Sequence, residues 1–148
     1  MSTTDRFERL VAEHSAIIFK ICYTHCNTPS DREDLAQDIA VQLWRSFGSF
    51  DGRSSFATWM YRVALNVAIS FRRREGRRVQ IVGLPDAQLL NVPATGTEPP
   101  EPVRRIYDFI EQLTALDRAV MLLYLDGFRA AEISEIVGLS ETNVTTKI

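Results

Sequence analysis

Five of the chain's six prolines fall between residues 85 and 102. Pro85, Pro93, Pro99, Pro100 and Pro102, with Gly83 and Gly96, punctuate a run in which no hydrophobic period survives. Proline removes a backbone donor and disfavours helix in the residue before it. Residues 81–102 therefore predict a flexible linker, partly extended. On either side, apolar residues recur at helical spacing. The expected fold is all-α: two small helical domains, 1–80 and 103–148, joined by the Pro-rich linker. No apolar run is long enough to span a membrane. The N-terminal MSTTDRFERL lacks the basic head and apolar core of a secretory signal. A cytoplasmic protein without membrane insertion is expected.

In the first half, residues 4–26 predict one helix with Phe7, Leu10, Val11, Ile17, Ile18 and Ile21 on one stripe and His14 within it. Asn27, Thr28 and Pro29 break it. Ser30 and Glu33 have the spacing of a capping box for the next helix, whose inner face is Leu35, Ile39, Leu43 and Phe47. Glu33, Asp34, Gln37 and Asp38 crowd its first turns. Acidic groups there suit the helix dipole, and they also form a face able to dock a basic partner.

The stretch from Phe50 to Arg78 is the most basic of the chain. Over 51–80, seven arginines face only Asp51 and Glu75, a net of +5, while the whole chain is −2 and the remainder therefore −7. Aromatic rings, Phe56, Trp59, Tyr61 and Phe71, sit among these charges. Cations track a phosphate backbone and flat rings stack on unpaired bases. The plain alternative is a solvated arginine face over an ordinary core. The predicted helix, with Ser54 or Ser55 as its cap, has an apolar stripe of Phe56, Met60, Val63, Ala64 and Val67. Trp59, Arg62, Asn66, Ser70 and Arg73 follow on an adjoining face. They offer a ring, cations and an amide, the groups that touch phosphates and base edges.

Beyond the linker, Ile106, Phe109, Ile110 and Leu113 are spaced as one helical face. Thr114 or Asp117 caps a second helix, which Asp126 and Gly127 stop. A short helix around Ala131, Ile133 and Ile136, then Gly138, Leu139 and the cap Ser140, predict a helix-turn-helix. The final helix, from about Glu141 to Ile148, is short for a DNA-reading helix, as though truncated. Residues 113–148 carry a net charge of −2, which disfavours duplex DNA. Cys22 and Cys26, four apart on a helix, are expected as reduced thiols. With His14 and His25 they match no closed zinc pattern, so neither metal nor cofactor is expected.

Taken together, EDLAQDIAVQLW at 33–44, FATWMYRVALN at 56–66 and LTALDRAVMLLYLDGFRAAEISEIVGLSETNV at 113–144 resemble the sigma factors of bacterial RNA polymerase, of the small extracytoplasmic-function type. The resemblance implies a transcription initiation factor and not an enzyme. It implies that core RNA polymerase binds Asp34, Leu35, Gln37 and Asp38. It implies contact with the single-stranded non-template −10 element through Arg53, Ser54, Ser55, Phe56, Trp59, Arg62, Asn66 and Arg73. Thr142, Asn143, Thr145 and Lys147 would meet the duplex −35 element. An anti-sigma factor is a further implied partner. Ser70 departs from the family, which commonly has an acidic residue there. Two other readings are a stand-alone helix-turn-helix regulator, which gives the 33–44 face no role, and a helical metal-dependent enzyme using His14, Cys22, His25 and Cys26.

Overall fold

The computed structural model describes residues 2–71 and 99–148, and among these it is built of eight α-helices with no strand. The first half holds α1 (Thr3–Glu13), α2 (Ser15–His25), α3 (Pro29–Ser46) and α4 (Phe56–Phe71). The second holds α5 (Glu101–Glu111), α6 (Ala115–Leu125), α7 (Ala130–Val137) and α8 (Glu141–Lys147). The all-α class and the helix-turn-helix, α7 and α8, are as expected. Most of the 81–102 stretch lies outside the described residues, but α5 begins inside it, at Glu101. Pro102 falls in the first turn of α5, where a missing N–H costs nothing.

Two boundaries differ from expectation. The helix predicted over 4–26 is broken at His14, whose φ of −115° and ψ of 20° are not helical. Its Nδ1 donates to the Leu10 carbonyl at 2.8 Å, and its ring lies 5.1 Å from that of Phe56. The break inserts one residue without moving the apolar stripe, so hydrophobic spacing does not register it. The cap of α3 is Thr28, whose hydroxyl accepts from the Asp31 amide at 3.1 Å, and not the predicted Ser30–Glu33 box. Pro29 at the first helical position sets that start. The predicted caps Ser55, Thr114 and Ser140 accept from the amides of Thr58, Asp117 and Asn143. Gly138 takes a φ of 79° at the turn between α7 and α8, a left-handed conformation that suits glycine.

The core is one continuous cluster. Phe7, Ile18, Ile21, Leu35, Ile39, Leu43, Met60 and Leu65 fill the first half, and Ile110, Val120, Leu123, Ile133 and Val144 the second. The halves pack on each other, α2 against α5 and α6, α4 against α6 and α7. Helix α4 is therefore covered on two sides. This explains why Tyr61, Leu65 and Ala68, outside the predicted stripe, are buried, while Val63 and Val67, inside it, are only partly so. Of the predicted face of α5, Ile110 is buried, whereas Ile106 and Phe109 are exposed.

Candidate nucleic-acid interface

Helices α3 and α4 lie side by side, and an open groove of about 600 Å³ runs between them. That volume is within the ~300–1,000 Å³ usual for small-ligand clefts. The wall from α4 brings together three of the predicted contacts, Trp59, Arg62 and Asn66, with Val63, Val67 and Ser70. The opposite wall, Gln42 and Ser46 of α3 and Ser49 of the following turn, was not anticipated. The signal was present: Gln42 and Ser46 are polar residues four apart, flanking the inward-facing Leu43. Gln42 Nε2 donates to Ser46 Oγ at 3.1 Å, and the Ser49 hydroxyl donates to the Ser46 carbonyl at 2.6 Å.

Trp59 is not the exposed ring the sequence suggested. Only 6% of its surface is accessible, and its ring lies 5.3 Å from Phe56, 5.6 Å from Phe50 and 6.1 Å from Phe47. The helical wheel assigned one core face to α4 and did not anticipate the rings that the turn after α3 folds over it. Trp59 lines the groove with the little surface it leaves accessible. Phe56 is likewise buried, on the His14 side, and does not line the groove. The Arg6 guanidinium, which the sequence reading passed over, sits 5.5 Å from the centre of the Phe47 ring at the edge of this aromatic cluster.

Arg62 carries the groove's most pointed chemistry. Its Nε is shut off from solvent and meets no acceptor among the described residues. An unsatisfied buried donor costs about 1–3 kcal/mol. Asn66 is exposed, and the Ser70 hydroxyl is spent on the Asn66 carbonyl at 2.8 Å. Arg73 lies outside the described residues. In the loop before α4, Arg53 is 91% exposed and pairs with Asp51 at 3.2 Å. Ser54 is half-buried and Ser55 caps α4.

The acidic face of α3 presents Gln37 at the surface, with Asp34 and Asp38 half-buried beside it. Leu35 is fully buried, so it supports that face from below and cannot meet a partner directly. On α8, Thr142, Asn143, Thr145 and Lys147 are all exposed. Lys147 Nζ is tied to Asp117 at 2.7 Å, and the Thr145 hydroxyl donates to the Glu141 carbonyl. Among the described residues, no three His, Cys, Asp or Glu side chains are placed to share a metal ion. Burial, then the neighbouring Cys26, pushes the Cys22 thiol far above its ordinary pKa, which suppresses thiolate chemistry. No described helix is long and apolar enough to cross a membrane.

Residues 10–78 match the family model of Sigma-70 region 2, and residues 103–148 that of Sigma-70, region 4. The chain is 30% identical to the ECF RNA polymerase sigma factor SigX of Bacillus subtilis over 96% of its own length and 77% of the relative's. It is 27% identical to SigW of the same organism, over 97% of this chain and 83% of the relative. Two solved structures share the fold. One is CnrH in complex with the cytosolic domain of CnrY, with a TM-score of 0.65 and 23% identity over 99% of this chain and 82% of that one. The other is the sigma factor RpoE with the anti-sigma factor NepR from Bartonella quintana, with a TM-score of 0.68 and 17% identity over 97% and 89%. Region 2 and region 4 matches in order, with a relative of this identity and coverage, mean that the chain belongs to the extracytoplasmic-function sigma factors of the sigma-70 family, which are transcription initiation factors.

Proposed function

We propose that this chain binds core RNA polymerase through the α3 face of Asp34, Gln37 and Asp38 and opens promoters by holding an unpaired non-template base of the −10 element in the groove between α3 and α4. The observation that carries the reading is the groove itself, with the acceptor-seeking Arg62 on one wall and Gln42 and Ser46 on the other. A sigma factor does no covalent chemistry. It exchanges base stacking, at a few kcal/mol per base, for protein contacts. The Arg53–Ser55 loop and the arginines after α4 hold the strand while the exchange occurs. Residues 1–80 act as the −10 and core-binding domain and α5 to α8 as the −35 domain, with Thr142, Asn143, Thr145 and Lys147 toward the duplex. Solved relatives bound to CnrY and NepR support an anti-sigma partner for this chain as well.

The test is binding of a single-stranded −10 oligonucleotide to the complex of this chain with core polymerase. Affinity should exceed that for duplex and fall with salt at a log–log slope of about −0.7 per phosphate contacted. Equal affinity for an oligonucleotide of scrambled sequence would remove the −10 assignment.

A further inference from the structure

An exposed cation lies over two aromatic rings just outside the groove. A capping box fixes the first turn of α1: the Ser2 hydroxyl accepts from the Asp5 amide at 3.1 Å, and the Asp5 carboxylate accepts from the Ser2 amide at 3.4 Å. Phe7 then enters the core, where its ring meets those of Trp44 and Phe47 at 5.1 and 5.0 Å. Arg6, the residue before it, is exposed. Its guanidinium carbon lies 5.5 Å from the centre of the Phe47 ring and 5.8 Å from that of Phe50. Those two rings stack on each other, 6.2 Å apart and 18° from parallel.

Among the described residues the Arg6 guanidinium meets no carboxylate: Asp5 is engaged by Ser2, and Glu13 faces Arg9. The rings beneath it are held in place, since Phe47 is buried and also touches Phe56 and Trp59. A guanidinium is flat, weakly hydrated and stacks on aromatic faces. One face of Arg6 is spent on the rings, and its exposure leaves the other to solvent. Phe50 joins this platform to the groove. Its ring is 5.6 Å from Trp59, and it follows Ser49, both of which line the groove. It precedes Asp51, whose carboxylate accepts from the Arg53 amide at 3.0 Å and so folds the loop before α4. Arg6 itself precedes the residues 10–78 that match region 2, so the family likeness assigns it nothing.

We propose that Arg6, lying on the rings of Phe47 and Phe50, is a second nucleic-acid site: a platform on which one unpaired base of the strand stacks beside the base held in the groove. The proposal rests on the reading of the groove as the strand's path. A strand seated between α3 and α4 and held by the Arg53–Ser55 loop passes Phe50, which brings a neighbouring nucleotide to Arg6. Unpaired bases stack on arginine planes as they do on rings. Such stacking tolerates any sequence, because every base has a π-face. The N–H edge of the guanidinium is left for a phosphate. The platform therefore holds the opened strand without choosing its base, and the choice is made in the groove. Because its rings are already in place, little ordering is lost on binding.

The experiment is a binding cycle on the complex of the full chain with core polymerase. The probes are the single-stranded −10 oligonucleotide and its scrambled counterpart, with each nucleotide made abasic in turn. Arg6→Ala should weaken strand binding about fivefold or more, the loss of one stacked base. The melting temperature of the free chain should stay nearly unchanged, since the side chain is exposed. One abasic position should weaken wild type by a similar factor and leave Arg6→Ala unaffected, the non-additivity of groups in contact. Arg6→Lys keeps the charge without the flat face, so it should keep the salt slope and still lose most of the affinity. The coupling should appear on both strands, because the platform does not choose its base. A wild-type complex that binds the two strands equally fails the −10 reading, and the coupling still decides the platform. Wild-type affinity in Arg6→Ala, full binding by Arg6→Lys, or the absence of any abasic position coupled to Arg6 on either strand overturns the stacking site.

Discussion

The rings of Phe50 and Trp59 lie 5.6 Å apart, and together with Phe47 and Phe56 they roof the first half's core where α3 turns toward α4. This makes Trp59 a structural ring before it is a DNA contact. Trp59→Ala should cost about 3–5 kcal/mol of folding stability, the usual loss for a large buried aromatic. Urea unfolding of the free chain measures it. A loss below 1 kcal/mol with a large fall in −10 strand affinity would restore Trp59 as a stacking platform.

Arg62 makes the opposite prediction. Its Nε has no acceptor among the described residues, so Arg62→Met should leave stability unchanged or raise it slightly, having removed an unsatisfied donor. The same change should weaken −10 strand binding by the core complex and make the salt slope shallower by about 0.7. Unchanged affinity and slope would mean that the groove is not the strand's path.

These two residues show what was legible in the sequence. The helices and most caps were, because Ser55, Thr114, Ser140 and Gly138 announce them locally. The side of α4 facing solvent was not, because a helical wheel knows one core face, and this helix has α3 on one side and α6 and α7 on another. The same limit applies to Tyr61, whose burial depends on residues 65 and 67 positions away. The half of the groove from α3 was hidden by reading each helix alone.

On the acidic face, Asp34→Arg should abolish binding to core polymerase without lowering the melting temperature, since Asp34 is only half-buried. Pull-down with core and thermal unfolding on one preparation decide it. Retained binding by a folded Asp34→Arg removes that residue from the docking face.

Lys147 is predicted to touch the −35 duplex, yet its ammonium is held by Asp117 at 2.7 Å. The hydrogen bond from Lys147 draws the Asp117 carboxyl below its ordinary value. Asp117→Asn should release the lysine for a phosphate. Affinity for duplex should rise and its salt slope steepen by about 0.9, the increment for one phosphate on B-DNA. The cost is a weaker first turn in α6, about 0.3–1 kcal/mol from the lost negative charge. A salt slope identical to wild type would show that Lys147 does not reach DNA.

The pH response of the contact between the two halves follows from the same kind of argument at Asp126. Burial alone would raise its carboxyl, but hydrogen bonds from Lys20 and Tyr61, with the Lys20 charge, outweigh it and hold the pKa below the ordinary 3.8. A depressed carboxyl contributes stability that is present above the unfolded value and lost as pH falls through the folded one. The bonds from Lys20 and Tyr61 should therefore be complete at pH 5 and fail only below 3.8. At the alkaline end, burial and then the Asp126 bond raise the Tyr61 phenol above its ordinary 10.0, so that its proton stays in place beyond that pH. Tyr107 of α5, which also faces Asp126, is raised by burial as well. The melting temperature of the free chain should stay nearly flat from pH 5 to 9 and fall in acid. Asp126→Asn should start lower and lose the part of the acid step that Asp126 supplies. A step between pH 5 and 8 that survives in Asp126→Asn would place the titrating group elsewhere.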